Sequence, residues 1–131
     1  MKCVKTFLII TIVFTTNIIF AQSALEKWPS MAVFREVLSL AFHAAEQGNL
    51  AAIKAHSEEV MEKAIALLKF DIPEEYRTKS ILSLAEKLQL QSKNLHKLIV
   101  SNASDTIILK SFTDLHETFH QIIGQCSEVK K

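Results

Sequence analysis

The sequence predicts an all-α protein: an up-down-up-down antiparallel four-helix bundle preceded by a signal peptide. Apolar residues recur with helical period in four successive stretches of the chain. Only two glycines and two prolines occur in 131 residues, so few breaks in helical structure are expected. The connections between the four stretches are short, which favours packing of each helix against its sequence neighbours.

The first 21 residues have the pattern of a secretory signal peptide. Lys2 and Lys5 precede an almost wholly apolar stretch, residues 7–20, and Ala21 offers a small residue at the cleavage point. We therefore expect a signal peptide over residues 1–21, a bundle domain over residues 22–131, and export to the periplasm or the extracellular space. The alternative is an uncleaved membrane anchor.

Charge and cysteine content exclude some classes of function for the exported chain. Without Lys2 and Lys5, the 15 basic residues fall to 13, against 14 acidic ones, which gives a net charge of −1. This balance argues against nucleic acid as a partner, and against membrane contact beyond the export signal. Cys126 is the only cysteine beyond the signal peptide, so a disulfide framework is excluded and a buried thiol is expected.

The first predicted helix begins near Ala24 and bends at Pro29, or begins at Pro29, and it ends near Gln47. Gly48 suits the end of this helix and Asn49 the start of the next, so a tight turn is expected between them. The predicted buried positions are Met31, Phe34, Leu38, Phe42 or Ala41, and Ala45.

The other three helices follow in the same way. The second is predicted from about Leu50 to Lys69, with Ile53, His56, Val60, Ala64 and Leu67 on its core stripe. The third begins at the acidic segment after Pro73 and continues to about Val100. Its stripe contains Ile81, Leu84, Leu88, Leu95, and Leu98 or Ile99. Residues 101–105 supply capping side chains before the fourth helix, whose stripe is Phe112, Leu115, Phe119 and Ile122.

Two histidines of the fourth predicted helix form the main candidate site. His116 and His120 lie one turn apart, so both imidazoles leave the helix on the same side. Their nitrogens can converge on one metal ion, or one ring can be an axial ligand of haem. The alternative is a pair of half-solvated histidines that bind nothing.

Helical rise selects the first-helix residues that could face this pair. With the helix ends aligned, a rise of about 1.5 Å per residue puts His116 level with Glu36. The first-helix candidates are Met31, Arg35 and Glu36. Glu36 with both histidines suits zinc or another divalent ion, whereas Met31 with His120 suits haem iron or soft copper. Arg35 could then pair with a haem propionate.

A weaker second grouping lies near the other end of the predicted bundle. His43, His56 and His96 all fall within about two turns of that end, at 1.5 Å of rise per residue. Three imidazoles at one height could hold a metal ion, although histidines near helix ends are usually solvated or capping.

Several of these features resemble the cytochrome b562 family of periplasmic four-helix bundles. Met31 and the segment Phe119-His120-Gln121 stand where that family carries its two haem ligands. The resemblance spans the chain after the signal peptide in topology, and it implies haem b bound between the first and last helices, with electron transfer as the role. His116 departs from the family pattern, because it adds a second donor and favours a small-ion site.

The sequence is also similar to small exported bacterial bundle proteins without an assigned activity. The similarity rests on Trp28-Pro29, Phe42-His43, Gly48-Asn49 and Leu115-His116-Glu117-Thr118-Phe119-His120. This resemblance implies a fold and an export route but no chemistry.

Together these observations predict an exported helical-bundle protein that binds haem b or a transition-metal ion, copper or zinc, between helices one and four. Its partner would be a redox or metal-delivery protein. Catalysis is not expected, because no nucleophile lies at a useful spacing from a base and no phosphate-binding loop occurs. The competing hypothesis is a cofactor-free secreted interaction or structural module, in which His116 and His120 point outward and no pocket separates helices one and four.

Overall fold

The computed structural model describes residues 24–129, and every regular element in that range is helical. The predicted signal peptide, residues 1–21, lies outside the described residues. The long helices are α1 (Pro29–Glu46), α2 (Ala51–Lys69), α3 (Lys79–Val100) and α4 (Asp105–Glu128). The prediction of an all-α protein is confirmed. None of the helices within residues 24–129 has the length and apolar character needed to cross a membrane.

The helix ends follow the capping chemistry of the sequence. A helical turn over residues 24–27 precedes α1 and breaks at Trp28, because Pro29 starts α1 at a position where its missing N–H is not needed. Gly48 adopts a φ of 80° after α1. Asn49 then accepts a hydrogen bond from the Ala51 amide at 2.9 Å. Ser104 accepts from the Ile107 amide at the start of α4.

The third helix begins later than predicted. The acidic segment after Pro73 forms a separate 3₁₀ turn, Glu74–Tyr76, and α3 starts at Lys79. Thr78 caps α3, because its hydroxyl accepts a hydrogen bond from the Ile81 amide at 3.2 Å. The 3₁₀ turn buries Tyr76 completely, and this burial favours a separate turn over an extension of α3.

Each long helix packs against the next one along the chain. The first and last helices also meet through their aromatic side chains: Phe34 contacts Phe119 at a ring-centroid distance of 5.9 Å, and Phe42 contacts Phe112 at 6.4 Å. Residue numbers rise along α1 as they fall along α4, so these two helices run in opposite directions. We call Phe34, Phe42, Phe112 and Phe119 the aromatic seam.

Most predicted core residues are buried, and the predicted apolar residues that are not fully buried pack against the edge of the core. On α2 the prediction that His56 lies on the core stripe is wrong: Ser57 is buried in its place and His56 lies at the edge. On α3 the buried residues include Ala85 and Ser92, whereas Leu84 is only partly buried. Ala85 and Ser92 are small, so burial on α3 depends on side-chain size as well as on polarity.

Candidate functional site

The buried stripe of α4 fixes where its histidines lie. Phe112, Leu115 and Phe119 are all buried against the core. This orientation places His116 and His120 at the border of the stripe, where His116 is partly buried and His120 is exposed. We call His116 and His120 the histidine pair.

The rings of the histidine pair lie next to each other and next to the aromatic seam. The centroids of His116 and His120 are 4.5 Å apart, with ring planes at 77°. His116 stacks on Phe42 of α1 at a centroid distance of 4.0 Å and an interplanar angle of 4°. His120 meets Phe119 edge to face at 5.4 Å. The pair is therefore held by aromatic contacts on both sides.

The stack on Phe42 leaves the donor atoms of His116 accessible. Phe42 covers one face of the imidazole, whereas the nitrogen lone pair that binds a metal ion lies in the ring plane. Among the described residues, neither imidazole ring of the histidine pair takes part in a hydrogen bond, so no protein group competes for their nitrogens there.

Burial and a neighbouring imidazole favour the neutral form of His116. Loss of solvent lowers the pKa of His116 below its usual value of 6.5, and the neighbouring His120 lowers it further. The Glu46 carboxylate opposes these effects by favouring the protonated ring. Neutral imidazole is the form that coordinates metal ions, so this environment suits coordination near neutral pH.

The helix-one residue that meets His116 is Phe42, whereas the prediction from helical rise placed Glu36 there. The vertical alignment of the helices was close, as the contact of Phe34 with Phe119 shows. The error lies in side-chain direction, because each Cα–Cβ bond tilts toward the N-terminus of its own helix. In antiparallel helices the tilts are opposed, so Phe42 and His116 lean toward each other over about a turn.

The other predicted ligands on α1 lie in different environments. Met31 is completely buried in the core, whereas Arg35 and Glu36 are exposed. His120 is exposed, so the side chains of Met31 and His120 lie at different depths. The structure therefore brings together the histidine pair but not the proposed Met31–His120 ligand set.

The second predicted grouping does not assemble. The Nδ1 atom of His43 lies 3.6 Å from the Oε2 atom of Glu46 on the same helix. The Nδ1 atom of His56 likewise lies 3.2 Å from the Oε2 atom of Glu59 on its own helix. His96 instead forms a hydrogen bond with Ser57 across the α2–α3 interface, at 3.0 Å. Each of the three rings has a separate neighbour.

The thiol predicted to be buried is buried. Cys126 is 1% exposed and unpaired. Burial raises the pKa of its thiol to about 12, and Glu75 contributes in the same direction. A thiol of this kind stays protonated at neutral pH and is a poor nucleophile and a poor metal ligand.

The histidine pair remains the main candidate for ion binding. Within residues 24–129 no three His, Cys, Asp or Glu side chains converge as a metal cluster. The arrangement thus offers two neighbouring imidazoles, a pair of donor groups that could coordinate one ion together.

The chain was also compared with known proteins. No protein-family model matches the sequence, and no curated protein and no solved structure matches the chain.

Proposed function

We propose that this protein binds a transition-metal ion, copper or zinc, through His116 and His120. The observation that carries the proposal is the 4.5 Å separation of the two imidazole centroids at the edge of the aromatic seam. Two imidazoles that share an ion through bonds of 2.0–2.1 Å have centroids about 4.5 Å apart at a right angle and about 5.2 Å apart at the tetrahedral angle.

Haem b fits these residues less well than a small ion does. A macrocycle inserted between α1 and α4 would have to separate Phe34 from Phe119, whose centroids lie 5.9 Å apart. It would also have to reach the sulfur of Met31, which is completely buried. If haem does bind, Met31 and His120 would be its ligands and Arg35 the partner of a propionate, as the cytochrome b562 resemblance implies.

The proposal includes export and the complete bundle topology. Residues 1–21 would act as the signal peptide, and the four long helices would form an up-down-up-down antiparallel bundle. The packing of successive helices and the opposite directions of α1 and α4 support this topology. In an exported compartment, a half-exposed bis-histidine site suits metal handling: it can receive an ion from one partner and release it to another.

The direct test is metal analysis of untagged protein after gel filtration in the presence of zinc or copper. We expect stoichiometric metal in the wild-type protein and a large loss in the His116→Ala, His120→Ala double variant. The matched control is His56→Ala, His96→Ala, which removes two histidines that have separate neighbours. Equal metal content in the wild-type protein and the His116/His120 variant would refute the proposal.

A second candidate, a cofactor-free interaction module, has its own structural support. A groove of about 320 Å³ lies between α3 and α4 and is lined partly by Leu98 and Ile107. Ile107, Val100 and Leu90 are large apolar side chains that are more than half exposed on these two helices. If zinc, copper and haem all leave the melting temperature unchanged, this candidate replaces metal binding.

A further inference from the structure

The histidine pair supplies only part of the donor set that a zinc ion takes up in a closed protein site. Such a site has four donors at the corners of a tetrahedron. Within residues 24–129 no group of three or more His, Cys, Asp or Glu side chains is placed to hold an ion. His116 and His120 therefore account for two of the four positions, and the other two must be filled from outside the described part of the chain.

Both rings of the pair lie where a second molecule can approach them. His120 is exposed, and His116 is partly buried at the border of the α4 stripe. Phe42 covers one face of the His116 ring, whose in-plane nitrogens stay open. Donor atoms of another protein can thus reach an ion at the pair from the solvent side of the bundle.

The face of α4 that carries His116 also carries apolar side chains on either side of the pair. Leu109 and Ile123 lie seven residues before and seven residues after His116, so the three share one face of the helix. Leu109 is 41% exposed and Ile123 is partly buried. A seven-residue repeat of this kind is typical of helices that pack along a common seam. This face therefore suits contact with a further helix.

A second copy of this chain would provide the matching face and the missing donors together. In a two-fold symmetric contact the same surface patch meets itself, so each copy contributes an identical donor set. Residues 22–131 contain 13 basic and 14 acidic residues, a net charge of −1, so two copies repel each other little. Two pairs of imidazoles make four nitrogen donors, which is the number that a tetrahedral zinc site requires.

We propose that one zinc ion joins two copies of this chain, each donating His116 and His120. This inference rests on the proposed function and names the partner of the same site. Because the ion is shared, the dimer should be most abundant at about half an equivalent of zinc per chain. Further zinc supplies each pair with an ion of its own, and the dimer should then separate into monomers by mass action.

The test is sedimentation velocity of the untagged protein at a fixed concentration, with zinc increased from none to about two equivalents. We expect the mass to rise about twofold near half an equivalent of zinc and to fall again at the highest zinc level. His120→Ala should remain monomeric throughout, because two such chains offer one ion too few donors. The matched control is His43→Ala, which also removes an exposed imidazole and should behave as the wild type.

Zinc content measured in the same samples separates this inference from the proposed function. If the wild type binds zinc but keeps the monomer mass at every ratio, water fills the open positions and the inference is wrong, while the histidine pair stands. A dimer that forms equally well without zinc, or in His120→Ala, would also overturn the inference, because the ion would not be what joins the copies. If the wild type binds neither zinc nor copper, the proposed function fails as well.

Discussion

Histidines lie at two helix interfaces of this protein, and the contacts of their rings differ between the two. At the α2–α3 interface the His96 ring forms a hydrogen bond with the buried Ser57 hydroxyl at 3.0 Å. At the α1–α4 interface His116 stacks on Phe42 and adjoins His120, and neither ring of the pair has a hydrogen bond among the described residues.

The difference separates a structural histidine from one available to a ligand. A ring nitrogen that already shares a hydrogen bond with the protein must lose that bond before it can bind an ion. An aromatic stack instead fixes the plane of the ring and leaves its in-plane nitrogens open. The residue that contacts a histidine ring thus indicates better than the burial of the ring whether its nitrogens are available to a ligand.

The largest expected effect concerns the aromatic seam itself. Phe112→Ala removes a ring that is 1% exposed, and such a truncation typically costs about 3–5 kcal/mol of unfolding free energy. The measurement is urea denaturation. The control, Phe70→Ala, removes a ring that is 63% exposed and should change stability by no more than about 0.5 kcal/mol. Similar losses in the two variants would contradict the packing described for α1 and α4.

The next effect is stabilisation by a bound ion. Zinc at about one hundred times its Kd should stabilise the folded protein by about 2.7 kcal/mol, because it binds the native state. Thermal denaturation should show a higher Tm for the wild type and for the His56→Ala, His96→Ala variant. If zinc also raises the Tm of the His116→Ala, His120→Ala variant, the ion binds at a site other than the histidine pair.

A smaller effect is expected at the α2–α3 interface. Ser57→Ala leaves the partly buried His96 nitrogen without its partner, and loss of such a hydrogen bond costs about 1 kcal/mol of unfolding free energy. The control is Ser83→Ala on α3, an exposed position where alanine favours the helix slightly. If the Ser57 variant is as stable as the Ser83 variant, the hydrogen bond between Ser57 and His96 does not stabilise the interface.

The smallest effect is a dependence of stability on pH. Because the folded state lowers the pKa of His116, the unfolded chain binds more protons as the pH falls through the unfolded value near 6.5. This contribution therefore makes the protein less stable as the pH decreases, until the folded-state pKa is also passed. His116→Gln should flatten the change in urea midpoint between about pH 7 and 5. An identical pH dependence in wild type and His116→Gln would contradict the burial of that ring.

Much of the fold was accessible from the sequence because helical period depends on backbone geometry alone. The stripe Phe112, Leu115, Phe119 and Ile122 is buried as predicted. The start of α3 was missed, because burial of Tyr76 in a 3₁₀ turn depends on tertiary packing. The placement of His56 in the core was wrong because Ser57, one residue further, faces α3.

The candidate site was only half predictable for a related reason. The spacing of His116 and His120 brings both rings to one side of α4 in any regular helix. Which α1 residues contact these rings depends on how far each side chain tilts along its helix axis. The rise per residue alone does not describe this tilt. A correction for the tilt of the Cα–Cβ bond toward the helix N-terminus would have favoured Phe42 over Glu36.

Of the five histidines, we propose that only the histidine pair binds an ion. The most direct measurement is a zinc titration followed by NMR signals of the imidazole nitrogens in ¹⁵N-labelled protein. We expect the ring signals of His116 and His120 to shift together and to saturate at one equivalent of zinc. The ring signals of His43, His56 and His96 should keep their positions. Unchanged signals for His116 and His120, or equal shifts for all five rings, would contradict this proposal.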